Sequence, residues 1–531
     1  MSWWLWHRHP RTPVGPPPLP PLRAVAVVVP VAGAQVYLDD AVPPGPHRGF
    51  TNATGYVEFA VTQLPVSRLV VEADGFLPYE VNGLALPLGD FQIRVGVERD
   101  PNRPQDVILG PLVPEKPPVT RRTGIVSLDG RAFADAGGPW LAVGASFFWG
   151  LWGWQYDRAR TERNLDYLAE RGAGRPDYLR VFAVVGGTSW DDRTAEPTAL
   201  GYDEAFTGFL DGAVARGMKT EVTIFASGRR PDADDIVRQL AALASPRPET
   251  IQHWEIANEG MGTGWGDAAG IAEMRELARL LRSLVPQPVA LTAAQPNAAD
   301  PERAHRVYDG SAANLLTEHL DRDITGTGGI WRPVRQAWDP PFYWPGAWSS
   351  NEPIGPQSSV NEDDDPLRLT MAAAYTWLCN GCGYVLHAGA GIRGGGSGDQ
   401  VRGRVANFWE VAHIDETLAG IAAVRSLLPA DFPNFERHNS NRNFPGYPFE
   451  SDPIGQMIAN GRLLRAFAAT AGDRLVCMPI LALDPVPFTA RRSMHLDVYN
   501  PLTGTRLEAH DLAASQTYMM SPRDAAVLVG R

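Results

Sequence analysis

Between residues 123 and 427 the chain alternates short β-branched runs with amphipathic helical stretches, and this alternation constrains the fold more than any other feature of the 531 residues. Strands separated by helices pair in parallel through right-handed crossovers. The runs fall at Leu141–Phe148, Tyr178–Val185, Thr220–Ala226, Gln252–Ala257, Val289–Ala294, Leu315–Leu320, Gly346–Asn351 and Gly383–Ala388. Eight parallel strands predict a closed (β/α)8 (TIM) barrel. The intervening segments carry helical periodicity: Asp203–Ala215 places Phe206, Leu210, Ala213 and Val214 on one face, and Ala269–Val285 does the same with Ile271, Met274, Leu277, Leu280 and Leu281. The competing doubly wound open sheet usually carries a Gly-rich first turn, and none follows the first run.

The flanks differ in character. Residues 10–21 carry seven prolines, so residues 1–23 predict an extended Pro-rich tether tipped by Trp3, Trp4 and Trp6. Residues 24–99 hold short alternating runs separated by turn signals such as Ala53-Thr54-Gly55 and Ala73-Asp74-Gly75, which predict a small β-sandwich. This stretch resembles the carboxypeptidase-regulatory-like sandwich from Gly33 to Phe76, which implies an accessory or attachment module. Residues 100–122 form a second Pro-rich linker. After the barrel, residues 428–531 end in strand-like runs at Arg474–Met478, Ser493–Tyr499 and Ala525–Val529, predicting a small C-terminal β-domain. The expected fold class is therefore multidomain α/β, a TIM barrel flanked by an N-terminal β-sandwich and a C-terminal β-domain.

A net charge of -12 gives no electrostatic reason to approach nucleic acid or an anionic membrane, and suits a neutral partner such as a glycan. Cys379, Cys382 and Cys477 are too few for a disulfide framework and are expected as buried thiols. The apolar tip Met1–Trp6 is followed at once by His7-Arg8-His9-Pro10, too short for the apolar core of a signal peptide, and no run is long enough to span a membrane. The expectation is synthesis in the cytoplasm without a signal peptide, with virion association or release by lysis as routes outward. Paired-histidine metal motifs, a phosphate-cradling loop and a serine nucleophile elbow are missing, so neither a metal nor another cofactor is expected; the Gly-rich stretch 389–398 predicts a flexible rim loop.

Chemistry concentrates at two glutamates. His253-Trp-Glu-Ile-Ala-Asn-Glu259 and Trp348-Ser-Ser-Asn-Glu352 each read as a barrel strand ending in a carboxylate. At the C-terminal rim of one barrel the two would meet, and paired carboxyls there suit glycosidic bond cleavage. Strand alternation puts Glu255, Ala257 and Glu259 on one face. Trp254-Glu-Ile-Ala-Asn-Glu259 resembles the fourth-strand signature of clan A glycoside hydrolases of the cellulase and mannanase kind. That resemblance implies Glu259 as acid/base, Asn258 as a ligand of the sugar hydroxyl, and Glu352, ending the seventh strand, as nucleophile. Two neighbouring carboxylates repel, so the acid/base is expected to have a raised pKa. Arg180 matches the arginine that orients the nucleophile. His319 sits near the sixth-strand histidine of the family, with Asp321 where an aromatic follows. His387 stands where a tryptophan floors the sugar, and Phe225 where many relatives have a histidine.

The aromatic run Phe147–Tyr156 offers Trp149, Trp152 and Trp154 as sugar-stacking platforms, and Trp348 lies beside the second glutamate. The expected function is a metal-independent retaining glycoside hydrolase acting on β-linked glycans. The alternative is a carbohydrate-binding virion or surface appendage whose barrel turns over weakly or not at all, attached to a larger assembly through residues 1–99.

Overall fold

The computed structural model describes residues 122–531 except 187–193, 295–301, 326–328, 339–343, 345, 357, 359–360, 389–399, 402–403, 406, 439–464, 483–484 and 522; before residue 122 it describes seven strand segments between 23 and 94. The expected tether, most of the expected linker and the Gly-rich stretch lie outside the described residues. The chain divides into two compact units, Met1–Pro118 and Val119–Arg531. In the first, one sheet orders Tyr56–Val61, Arg23–Val28 and Phe91–Arg94, and a second orders His47–Phe50, Gln35–Asp40, Val66–Glu72 and Tyr79–Leu84. Leu69 and Val71, alternate residues on the longest of these strands, are buried on one face.

The second unit is built on eight parallel strands. They are β1 (Ala142–Ser146), β2 (Tyr178–Val184), β3 (Lys219–Phe225), β4 (Ile251–Ala257), β5 (Val289–Ala290), β6 (Leu316–Glu318), β7 (Trp348–Ser350) and β8 (Gly381–Leu386). Their order, β5-β4-β3-β2-β1-β8-β7-β6, is a barrel opened at one seam. All eight lie where the sequence expects them. The seam between β5 and β6 is held by Val289 O, which accepts from Asn314 N at 3.0 Å and Leu315 N at 3.3 Å. Both strands are shorter than expected, and past the end of β5 a side chain takes over the backbone partners: the Tyr308 hydroxyl donates to Thr292 O at 2.7 Å and accepts from Thr292 N at 3.1 Å and Leu291 N at 3.2 Å. Satisfying those groups by a tyrosine removes the need for strand pairing there.

Helices cover the outside: α1 (Gly150–Tyr156), α2 (Arg158–Ala169), α3 (Tyr202–Ala215), α4 (Ala233–Ala244), α5 (Ala268–Leu284), α6 (Arg303–Tyr308), α7 (Arg332–Arg335), α8 (Pro366–Leu378) and α9 (Ile414–Leu427). Two starts are capped by aspartates whose side chains accept orphan amides, Asp267 from Gly270 N and Asp365 from Arg368 N. The bottom of the barrel is plugged by the hairpins Ser127–Asp129, Ala132–Asp135 and Gly138–Trp140. Phe133 enters from there and stacks on His253, with ring centroids 5.5 Å apart. A plugged bottom leaves the C-terminal rim as the open mouth.

The C-terminal residues form a sheet of Glu436–His438, Arg465–Ala471, Arg474–Ala482, Val527–Gly530, Met494–Tyr499 and Arg506–Leu512, with Arg523–Ala525 pairing beside Arg474–Ala482. It is packed into the barrel unit. Val476, Met478 and Ile480 belong to the same apolar core as α8 and α9, and Tyr375 of α8 donates to Met478 O at 2.7 Å. The turn after Tyr499 is tied by Asn500, whose Oδ1 accepts from Leu502 N at 2.8 Å, and Gly504 at φ +65° completes it. All three cysteines are buried thiols outside any disulfide. Among the described residues no helix is long and apolar enough to cross a membrane.

Candidate active site

Inward-facing residues of β2, β3, β4 and β6 build a buried ionic network just below the rim. Arg180 of β2 stands at its centre, fully buried. Its Nη2 donates to Glu255 Oε2 at 2.8 Å and to Asn258 Oδ1 at 2.9 Å, its Nη1 donates to Glu352 Oε2 at 2.8 Å, and its Nε lies 3.2 Å from Glu221 Oε1. Burial alone would lower the pKa of the guanidinium, but Glu255, Glu221 and Glu352 together hold it above its ordinary value. Thr223 and Thr317 donate to the two oxygens of Glu255 at 2.7 and 2.6 Å. Asn351 Nδ2 bridges Glu221 Oε1 and Glu255 Oε1, at 3.0 Å from each. The end of β7 is thus braced across the barrel against β3 and β4.

Above this layer the two expected glutamates converge. Ligand atoms of Glu259, His319 and Glu352 all lie within 4.8 Å of one another. His319 stands between the carboxylates, its Nδ1 3.2 Å from Glu259 Oε1 and its Nε2 3.5 Å from Glu352 Oε2. Glu352 is buried, and Arg322 Nη2 donates to its second oxygen, Oε1, at 2.6 Å. Burial pushes the Glu352 carboxyl up, but the charges of His319, Arg322 and Arg180 outweigh it and hold the group well below the usual glutamate range. Glu259 differs in exposure, its side chain remaining 42% accessible. Its backbone sits at φ +45°, in the left-handed region, where Glu259 O accepts from Gly262 N at 2.7 Å and Thr263 N at 3.0 Å.

The expectation of a raised pKa at Glu259 is not met in the free site. The His319 hydrogen bond lowers it, with help from the charges of His319 and Arg322, against opposition from burial and Glu352. His387 follows β8, is buried, and neither ring nitrogen has a hydrogen-bond partner. Burial pushes its pKa down to about 3, so the ring is neutral beside Glu352. The floor of the site is apolar: Phe148 stacks on Phe182 with centroids 4.2 Å apart, and the His387 ring lies 5.7 Å from Phe148. By donor atoms Glu259, His319 and Glu352 could contact a cation, but the guanidiniums of Arg180 and Arg322 on the same carboxylate oppose positive charge there.

Sequence reasoning placed Asn258, Arg180, Glu259, Glu352, His319 and His387 together, and the structure brings all six to one place. The tryptophans separate. Trp154 is buried against α3, its ring T-shaped to Phe209 at 6.0 Å, and Trp149 is buried edge-on to Phe147 at 4.8 Å. Trp348 points out of the barrel, donating to Cys379 O at 3.1 Å. None of these three presents a face to a ligand: the helix after β1 turns Trp154 into the core and Trp149 packs at its start, while strand alternation points Trp348 outward. Trp152 alone of the four is half-buried. Arg322, Glu221 and Asn351 were missed. Asp321, at the expected aromatic position, pairs with Arg332 at 2.7 Å, and its neighbour Arg322 reaches Glu352 instead.

No family model matches the chain, and no curated protein matches it. Solved structures do, and two of them match most of the chain. One is a glycoside hydrolase family 5 protein from Bacteroides vulgatus, 14% identical, covering 77% of this chain and 92% of its own at a TM-score of 0.54. The other, described as a glycoside hydrolase, is 14% identical, covering 78% and 97% at a TM-score of 0.53. The fold is shared with these glycoside hydrolases. At such identity the likeness speaks for the arrangement of barrel and C-terminal sheet, and the chemistry must be argued from the residues.

Proposed function

We propose that the barrel is a retaining glycoside hydrolase for β-linked poly- or oligosaccharides, with Glu352 as nucleophile and Glu259 as acid/base. One observation carries this reading: two rim carboxylates with oxygens within 4.8 Å of each other, one buried and clamped by arginines, the other open to solvent. Retaining enzymes hold their carboxyls about 5 to 5.5 Å apart, whereas inverting ones leave room for a water. Glu352, kept ionised, attacks the anomeric carbon while Glu259 gives its proton to the departing oxygen. Water then attacks the glycosyl ester, and Glu259 takes the proton back. A sugar seated over Glu259 displaces the water around its accessible side chain, and that desolvation raises the carboxyl pKa toward the protonated form the first step needs. Asn258 Oδ1 is held by Arg180, which leaves its amide nitrogen to donate to a sugar hydroxyl. The folded architecture of Glu259 and Glu352 makes turnover, rather than binding alone, the better reading of the site.

The test is release of reducing sugar from a panel of β-glucans, mannans, xylans and bacterial surface polysaccharides by wild type, Glu352→Gln and Glu259→Gln. Loss in both variants, with azide restoring turnover to Glu352→Gly through an inverted glycosyl azide, supports the assignment. Glycan binding unchanged by either substitution, with no turnover by wild type, would leave a carbohydrate-binding barrel in its place.

A further inference from the structure

Arg322 belongs to no expectation from the sequence, yet it is tied to Glu352 more intimately than any other side chain. Its Nη2 donates to Glu352 Oε1 at 2.6 Å, and Nε and Nη2 donate to the main-chain carbonyl of the same residue at 3.2 and 3.0 Å. One guanidinium therefore grips both the reacting carboxylate and the backbone that carries it. The arginine is itself anchored, since its carbonyl accepts from Asn361 Nδ2 at 2.9 Å, joining the loops after β6 and β7. Arg180 plays a different part. Its single charge is divided among the three carboxylates of Glu255, Glu221 and Glu352, and it touches Glu352 through one nitrogen at the carboxylate. Arg322 meets the other carboxylate oxygen and holds the Glu352 backbone as well.

On the two-glutamate reading, this asymmetry bears on the two half-reactions differently. In the first, a lone pair of Glu352 forms a bond to the anomeric carbon as the bond to the leaving oxygen breaks, and Glu259 supplies that oxygen with a proton. The ester so formed carries no charge for the guanidinium to meet. In the second, water attacks the anomeric carbon, Glu259 accepts the water proton, and the ester bond breaks to return the electron pair to Glu352. A donor that favours the ionised carboxylate slows the first step and speeds the second. We propose that Arg322 is a positioning residue that keeps the glycosyl ester short-lived, so that forming the ester, and not hydrolysing it, limits turnover.

The full chain is to be compared as wild type, Arg322→Met, Arg322→Lys and Glu352→Gln, on paired 2,4-dinitrophenyl and 4-nitrophenyl β-glycosides of glucose, mannose and xylose. For wild type, kcat should be higher with the better leaving group, the signature of limiting ester formation. For Arg322→Met, kcat on the dinitrophenyl glycoside should fall roughly 10- to 100-fold, the loss of a hydrogen bond to a charged group. It should also become independent of the leaving group, with a burst of about one equivalent of phenolate and a mass increase of one glycosyl unit on the peptide bearing Glu352. Arg322→Lys, which keeps the charge but cannot hold carboxylate and carbonyl together, should lie between. A variant that merely loosened the loop would slow both substrates in proportion. Retention of the leaving-group dependence in Arg322→Met, without burst or adduct, overturns the inference while the glutamate pair stands. Absence of any release by wild type, matched by Glu352→Gln, overturns both together.

Discussion

Replacing Arg180 by methionine removes the guanidinium that three buried carboxylates share, with closest approaches of 2.8 Å to Glu255, 2.8 Å to Glu352 and 3.2 Å to Glu221. Breaking one side of a fully buried ion pair costs about 3–5 kcal/mol, because the partner is left charged and dry. With an unfolding entropy of about 2.1 cal/mol/K per residue, a unit the size of Val119–Arg531 should lose roughly 3 to 6 °C in Tm. The loss should depend on pH, and its sign follows from the native pKa values. Glu255 and Glu352 are both held below the ordinary value, Glu255 despite its burial by Arg180, His319 and the Thr317 hydrogen bond. Their contribution to stability is complete above about 4.3, the unfolded value, and disappears as pH falls through the lowered native values. Without Arg180 burial dominates at Glu255, that carboxyl rises above the unfolded value, and the variant loses stability as pH climbs from the unfolded value to the raised native one. The gap between wild type and Arg180→Met should thus be widest near pH 8 and narrow toward pH 5. Adding Glu255→Gln to Arg180→Met removes one stranded charge and should recover part of the loss at pH 8. Calorimetric scans of the three proteins at both pH values measure this; an equal gap at pH 5 and pH 8, or a double variant less stable than the single, would refute the account of Arg180 as the counterion of the network.

Two further outcomes follow from the site and the core. His319→Ala removes the hydrogen bond that chiefly lowers the Glu259 carboxyl and leaves burial and Glu352 to raise it, so the basic limb of the kcat/KM profile should move to higher pH; an unmoved limb would mean another group supplies the proton. Gly212→Ala would place a Cβ 2.2 Å from the Trp154 ring, which is wedged between α1 and α3, so overpacking should cost about 1–3 kcal/mol and lower Tm, while kcat at a permissive temperature stays at the wild-type value.

The barrel was legible in the sequence because crossover helices and buried parallel strands write two different periods into the chain, and those periods survive without any knowledge of tertiary contacts. The two glutamates were legible for the related reason that a strand end fixes where its last side chain emerges. The limits are equally physical. The length of β5 depends on the Tyr308 hydroxyl, a contact made from a helix to the backbone of Leu291 and Thr292, and no local pattern announces it. Arg322 lies on a loop after β6, where periodicity ends and nothing local says which side chain folds back. Trp149, Trp154 and Trp348 show the converse error, since the same indole serves a core or a ligand and only burial decides between them.

The left-handed backbone at Glu259 has a consequence beyond geometry. A non-glycine residue held there costs on the order of 1 kcal/mol, which glycine would not incur. Asn380, His413 and Ser515 share that region, so what sets Glu259 apart is where the strained backbone delivers its carboxylate, 3.2 Å from His319 Nδ1.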